Sequence, residues 1–250
     1  MGAITGPHGT RGVVCAATVW RSVRICRIRL RIFSIEQGWW GAVIKAVLFD
    51  MDGVLIDAKD WHYETLNDAL AVFGLNISRT EHLAVYDGLP TRKKLELLSR
   101  TRGLSPKLHD FLNALKQKMT YRVIIEKCRP VFHHEYALGR LQRDGKHIVV
   151  CSNSVRSTVE AMMQQSNLLR YLDFFLSNQD VTKAKPDPEI YLTAMDRLQL
   201  RPEECLVVED NEHGIQAARA SGAHVMVVGS VNDVTYDRIM HEISAIEAAH

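Results

Sequence analysis

Cysteine is scarce in this chain: the five, at positions 15, 26, 128, 151 and 205, are odd in number and show no paired spacing. That excludes a disulfide scaffold. With Cys151 and Cys205 inside apolar runs, it predicts reduced thiols in a cytoplasmic protein. No uncharged stretch approaches the ~18 residues of a membrane-spanning helix, so no membrane partner is expected. No histidine or cysteine cluster has ligand spacing, which argues against zinc. A glycine-rich nucleotide loop, an internal repeat and a low-complexity tract are also missing. Charge of one sign is lacking too, since the net is +2. Nothing in that balance argues for nucleic acid.

The charge is unevenly spread. Residues 1–42 hold six arginines against Glu36 alone, a net of +5, which leaves −3 for the rest. In residues 1–43, Arg24, Arg27, Arg29 and Arg31 interleave with Ile25, Ile28, Leu30 and Ile32. Three readings are open: a targeting or membrane-surface segment, an edge strand on the body, or a stretch foreign to the natural protein. The third is preferred, because the recognisable domain begins at Val43 or Ile44.

What is present begins with the apolar run Ile44–Phe49, which closes on Asp50-Met51-Asp52-Gly53. Carboxylates at the carboxyl end of a buried strand need something to neutralise them, and in open α/β sheets that end is where ligands bind. Taken alone, the pair could cap a helix or sit on a solvated turn. Three later segments share its setting. His147–Cys151 runs into Ser152-Asn153-Ser154; Lys185-Pro186-Asp187-Pro188 opens a helix carrying Ile190, Ala194 and Leu198; and Cys205–Val208 runs into Glu209-Asp210 before the small-residue helix Gly214–Ala220. Together they predict an α/β fold with a doubly wound, Rossmann-like parallel sheet and its functional groups at the strand ends.

These four segments, in this order, resemble the motifs of the haloacid dehalogenase superfamily, over roughly residues 44–230. DMDGVLIDAKDWH, VVCSNS, KPDPEIY and VVEDNEHGIQAARASGA are most similar to the branch holding phosphoglycolate phosphatase and beta-phosphoglucomutase. The resemblance implies an aspartyl-phosphate intermediate. Asp50 would be the nucleophile and Asp52 the general acid, then base; Ser152, Asn153 and Lys185 would hold the phosphoryl group. Asp50, Asp52, Glu209 and Asp210 would surround the metal. Ser152 and Ser154 are both also candidates to cap the next helix, and Lys183 competes with Lys185.

Charge gives an independent reason for a cation. Asp50, Asp52, Glu209 and Asp210 against Lys185 leave three negative charges, and two like charges about 4 Å apart repel by roughly 4 kcal/mol even at a surface-like dielectric. A phosphate dianion needs a divalent cation there, and oxygen-only ligands suit Mg²⁺. Asp50 is expected to be ionised at neutral pH, with a carboxylate value of about 3.9. Asp52 is expected to be raised by its carboxylate neighbours.

Between residues 59 and 128 helical periodicity replaces the strand pattern. Leu66, Ala69, Leu70 and Phe73 share a face, with Gly74 as a stop. Ser78-Arg79-Thr80-Glu81 fits a capping box, and Ser105-Pro106 opens a long pattern through Leu108, Leu112, Leu115 and Met119. The resemblance makes this insertion a mobile helical cap over a core of residues 44–58 and 129–250. His62 and Arg92, with Lys93 and Lys94, are the candidates to read the substrate, although a partly buried histidine or a solvated basic run would look the same.

The expected function is Mg²⁺-dependent hydrolysis of a small phosphomonoester, such as a sugar phosphate. A phosphomutase and a non-catalytic domain binding a phosphorylated ligand are the alternatives. A dehalogenase is disfavoured, because it has no use for Asp52.

Overall fold

The computed structural model describes residues 43–249. The basic segment of residues 1–42, with all three readings of it, lies outside the described residues, as do Cys15 and Cys26.

Five short apolar runs become strands: β1 Ala46–Phe49, β2 His147–Cys151, β3 Phe174–Leu176, β4 Cys205–Glu209 and β5 His224–Val227. They form one sheet in the order β3-β2-β1-β4-β5, with every pairing parallel. The helices are α1 Lys59–Ala71, α2 Arg79–Glu81, α3 Thr91–Arg102, α4 His109–Lys127, α5 Phe132–Arg143, α6 Arg156–Gln165, α7 Glu189–Leu198, α8 Glu212–Ala220 and α9 Tyr236–Ala248.

Side-chain alternation along the strands sorts the core into two layers. Val47, Phe49, Ile148, Val150, Leu206 and Val208 meet α5, α6 and α9 on one face. Ala46, Leu48, Val149, Cys151, Cys205 and Val207 meet α7 and α8 on the other. A sheet covered on both faces has no solvated side, which is why these strands read as unbroken apolar runs. Cys128, Cys151 and Cys205 are buried free thiols.

Helices α1 to α4 form the inserted helical cap between β1 and β2, with an apolar cluster of their own that includes Leu66, Leu70, Ile77, Leu95, Leu98 and Leu112. Local signals were partly right there. Helix α1 stops at Ala71, and Gly74 takes the left-handed φ of +70° that glycine permits. Phe73 therefore leaves the buried face and meets Phe111 edge-on, 5.9 Å between ring centroids. The Ser78 hydroxyl accepts from the Glu81 N–H at 3.1 Å, but the Glu81 carboxylate pairs with Arg102 instead of closing a capping box. Pro106 opens a 3₁₀ turn, Pro106–Leu108, and α4 follows it.

Candidate active site

Register positions the first carboxylates. Phe49 is level with Val150 of β2 and Val208 of β4, so Asp50 leaves β1 beside Cys151 and Glu209. Strand order reverses direction between β1 and β4, which makes this the switch-point crevice of the sheet. By alternation Asp50 and Glu209 follow Leu48 and Val207 onto the α7–α8 face, where Lys185 and Tyr191 lie.

The Lys185 ammonium donates to Asp50 Oδ1 at 2.6 Å, to Glu209 Oε1 at 2.7 Å and to the Cys151 carbonyl at 2.8 Å. An ammonium has three donors, so all are spent, and in this state none is left for a phosphoryl oxygen. Glu209 Oε1 also accepts from the Tyr191 hydroxyl, and Oε2 from the Asp210 N–H at 3.2 Å. Burial opposes the charge on Lys185, but Asp50 and Glu209 outweigh it and hold the ammonium above its ordinary value. Burial pushes Asp50 well above the usual carboxylate range, against Lys185 and with help from Glu209, Asp210 and Asp52. The expectation of an unperturbed Asp50 is corrected accordingly: burial and the neighbouring carboxylates oppose its charge, and Lys185 favours it.

Asp52 behaves in the opposite way to its expectation. Its carboxylate accepts from the Ser154 hydroxyl at 3.0 Å and meets His62 Nε2 at 3.0 Å. Burial would raise it, but His62, Ser154 and Lys116 together bring it below the ordinary value. On the far side of the ring, Lys116 Nζ lies 3.0 Å from His62 Nδ1. An ammonium can only donate, so Nδ1 accepts and the neutral ring carries its proton on Nε2, facing Asp52. Burial and Lys116 both push His62 down, consistent with a neutral imidazole.

Asp50, Glu209 and Asp210 bring carboxylate oxygens within 4.8 Å of one another, without Asp52. Asp52, the expected fourth member, is engaged by His62 and Ser154 in this structure. Both Asp210 oxygens are buried; Oδ2 is paired with the Lys59 ammonium, and Oδ1 has no partner. A Cβ on Gly53 would overlap Asp210 Oδ2, and one on Gly214 would overlap Glu209. Glycines thus keep the approach to the carboxylates clear. Three carboxylates gathered this closely, one of them with an unpartnered buried oxygen, fit a hard divalent cation.

Asp50, Asp52, Ser152, Asn153, Lys185, Glu209, His62 and Arg92 all line one cavity of about 430 Å³. Asp210 joins the site from behind, between Gly53 and Lys59. Ser152 is buried and its hydroxyl accepts from the Ser154 N–H at 3.0 Å. Neither serine caps α6, whose N-cap is Val155 without a side-chain bond. The Asn153 amide is committed elsewhere: it donates to Gly88 O at 2.9 Å and accepts from the Lys185 N–H at 3.1 Å. Asn211 similarly donates to Asp87 at 2.9 Å. The basic run divides. Arg92 and Lys93 are exposed and paired with Asp110 and Glu96, while Lys94 is buried against His82 at 3.4 Å.

Sequence reasoning missed Lys59, Lys116, Asp87, Asn211 and Tyr191. Lys116 left a signal, a charge within the buried stripe Leu112, Thr120 and Ile124 of α4. The others arrive through tertiary contacts alone. The tally of three uncompensated negative charges is also corrected: Lys59, Lys94 and Lys116 join the surroundings, so the case for a cation rests on the clustered carboxylates and the unpartnered Asp210 Oδ1.

Proteins similar to this chain include a phosphatase and phosphomutases. A phosphorylated carbohydrates phosphatase of Thermotoga maritima is 28% identical over 192 residues, 76% of this chain and 88% of that protein. A beta-phosphoglucomutase of Bacillus subtilis is 26% identical over 194 residues, 74% and 84% of the two chains. The crystal structure of a Clostridium difficile beta-phosphoglucomutase shares the fold, with a TM-score of 0.70 at 21% identity, covering 81% of this chain and 98% of that one. A sequence model of haloacid dehalogenase-like hydrolases matches residues 47–228, a span that runs from β1, just before Asp50, past Glu209 and Asp210 to Val228. The chain therefore belongs to the haloacid dehalogenase-like hydrolase family.

Proposed function

We propose that the protein is a Mg²⁺-dependent phosphomonoester hydrolase that passes the phosphoryl group through Asp50. The supporting observation is the buried Asp50 carboxylate at the end of the central strand, ion-paired at 2.6 Å with Lys185 and opening on the same cavity as Ser152. An Asp50 oxygen attacks phosphorus, the bond from phosphorus to the ester oxygen breaks, and an aspartyl-phosphate forms. Ser152 donates its hydroxyl to a phosphoryl oxygen. Asp52 protonates the leaving alkoxide, then takes the proton from the water that attacks phosphorus in the second half-reaction. In the present state Asp52 is an acceptor from two donors, so it is set as the base, and proton delivery to it precedes the first half-reaction. Asp50, Asp210 and Glu209 would hold a divalent cation, which would supply positive charge to the phosphoryl oxygens.

A phosphomutase is the second reading. It is favoured by the bonds from Asn153 to Gly88 and from Asn211 to Asp87, which tie the cap to the core; a cap held closed would exclude water. The test is incubation with sugar phosphates and Mg²⁺ while free phosphate and isomerised sugar phosphate are both measured. Phosphate release supports hydrolysis, isomer without phosphate supports the mutase, and neither product refutes both.

A further inference from the structure

Beside the groups proposed to carry phosphoryl transfer, the cavity has a second buried cationic wall. Lys94 and Lys116 line the same cavity as Asp50 and Ser152, and each is only 6% exposed. Among the described residues, each ammonium has one hydrogen-bond contact and it is an imidazole nitrogen: His82 Nε2 for Lys94 and His62 Nδ1 for Lys116. Neither has a carboxylate within ion-pair distance there, whereas Lys59, Arg92 and Lys93 all do. Two of three donors on each ammonium are therefore uncommitted in a nearly dry setting.

Folding does not call for charge at these positions. Lys116 occupies a stripe of α4 with Leu112, Thr120 and Ile124, and Lys94 adjoins Leu95 of the cap cluster. Burial lowers Lys94 to about 8, and burial together with the charge on Lys94 lowers Lys116 to about 7. Asp52 opposes both shifts and Asp87 opposes that of Lys94, but neither closes an ion pair. A buried charge without a counter-ion is costly, and an anion entering the cavity would remove that cost. At about 430 Å³ the cavity is within the range of small-molecule sites, roughly 300–1,000 Å³, so one ligand can reach both walls.

We propose that Lys94 and Lys116 form a recognition site for a second anionic group, so that the substrate is a phosphomonoester with a further phosphate or carboxylate at its far end. This rests on reading the Asp50 wall as the phosphoryl-transfer site. Arg92 and Lys93, the more obvious cations of the sequence, are solvated and already paired, and take no part.

The test is calorimetric binding to the full-length Asp50→Asn variant with Mg²⁺, so that no turnover intrudes. Fructose 1,6-bisphosphate is compared with fructose 6-phosphate, and 3-phosphoglycerate with glycerol 3-phosphate. In at least one pair the compound with the extra anion binds about tenfold or more tightly, as expected for hydrogen bonds to a charged group. The pair that discriminates tells phosphate from carboxylate. Adding Lys94→Met or Lys116→Met brings that ratio towards one, and Lys94→Arg largely preserves it. Lys94→Gln and Lys116→Gln serve where a methionine variant misfolds. Equal binding within both pairs, no binding by either extra-anion compound, or a ratio unchanged in both lysine variants overturns the proposal. Phosphate release by the unaltered protein is scored separately. Preference without turnover sinks the hydrolase reading alone, and turnover without preference sinks this one alone.

Discussion

Lysine is buried on both walls of one cavity, and the two walls treat it in opposite ways. On the core wall Lys185, 4% exposed, has every donor engaged by Asp50, Glu209 and a carbonyl, and its ammonium is held above its ordinary value. On the cap wall Lys94 and Lys116, almost as buried, face imidazoles and are pushed down to about 8 and about 7. Burial alone lowers a lysine, so partners decide the sign. A closed ion-pair network organises its own carboxylates, whereas an open one waits for charge from outside.

The largest expected effect comes from the core wall. Asp50→Asn should lower phosphate release by on the order of 10⁴–10⁶-fold, as for other nucleophile deletions, with an unchanged circular dichroism spectrum. Substantial surviving turnover would end the nucleophile reading. Next, chelation by EDTA should abolish turnover and Mg²⁺ should restore it. An enzyme indifferent to EDTA would show that the Asp50, Glu209 and Asp210 oxygens do not serve a metal.

Stability tests the contrast itself. Lys185→Met leaves Asp50 and Glu209 without their cation and should cost about 3–5 kcal/mol by urea unfolding. Lys116→Met removes an uncompensated buried charge and should stabilise by roughly 1–4 kcal/mol. Changes of the same sign would break the comparison. The smallest effect is a pH dependence. The folded value of Lys116, about 7, is below its ordinary 10.5. As pH falls, the unfolded chain takes up that proton first, so the penalty is absent above about 10.5, grows downward and is complete below about 7. The advantage of Lys116→Met in thermal unfolding should therefore be larger at pH 7 than at pH 10. An advantage that does not change with pH would mean packing, not charge, sets it.

Legibility in the sequence followed the same divide. Asp50, Ser152, Lys185 and Glu209 sit at the ends of apolar runs or just before a helix, where strand and helix periodicity locate them without a structure. Cap residues had no such frame. The run Arg92-Lys93-Lys94 looks uniform in sequence, yet helix α3 turns its first two members to solvent and its third inward. The direction of the Asp52 shift was likewise misjudged, because the deciding groups, His62, Ser154 and Lys116, come from three separate elements.

The sequence by itself determined the sheet, because a parallel strand covered on both faces must be apolar throughout, and the first polar residue after it marks the strand end. It also located Asp50, Glu209 and Asp210 at those ends, but not that Asp52 engages His62 and Ser154 instead. Only the tertiary structure decided which charges are paired, since an ion pair depends on a few ångströms between residues such as Lys185 and Asp50, 135 positions apart, and no local pattern encodes that distance.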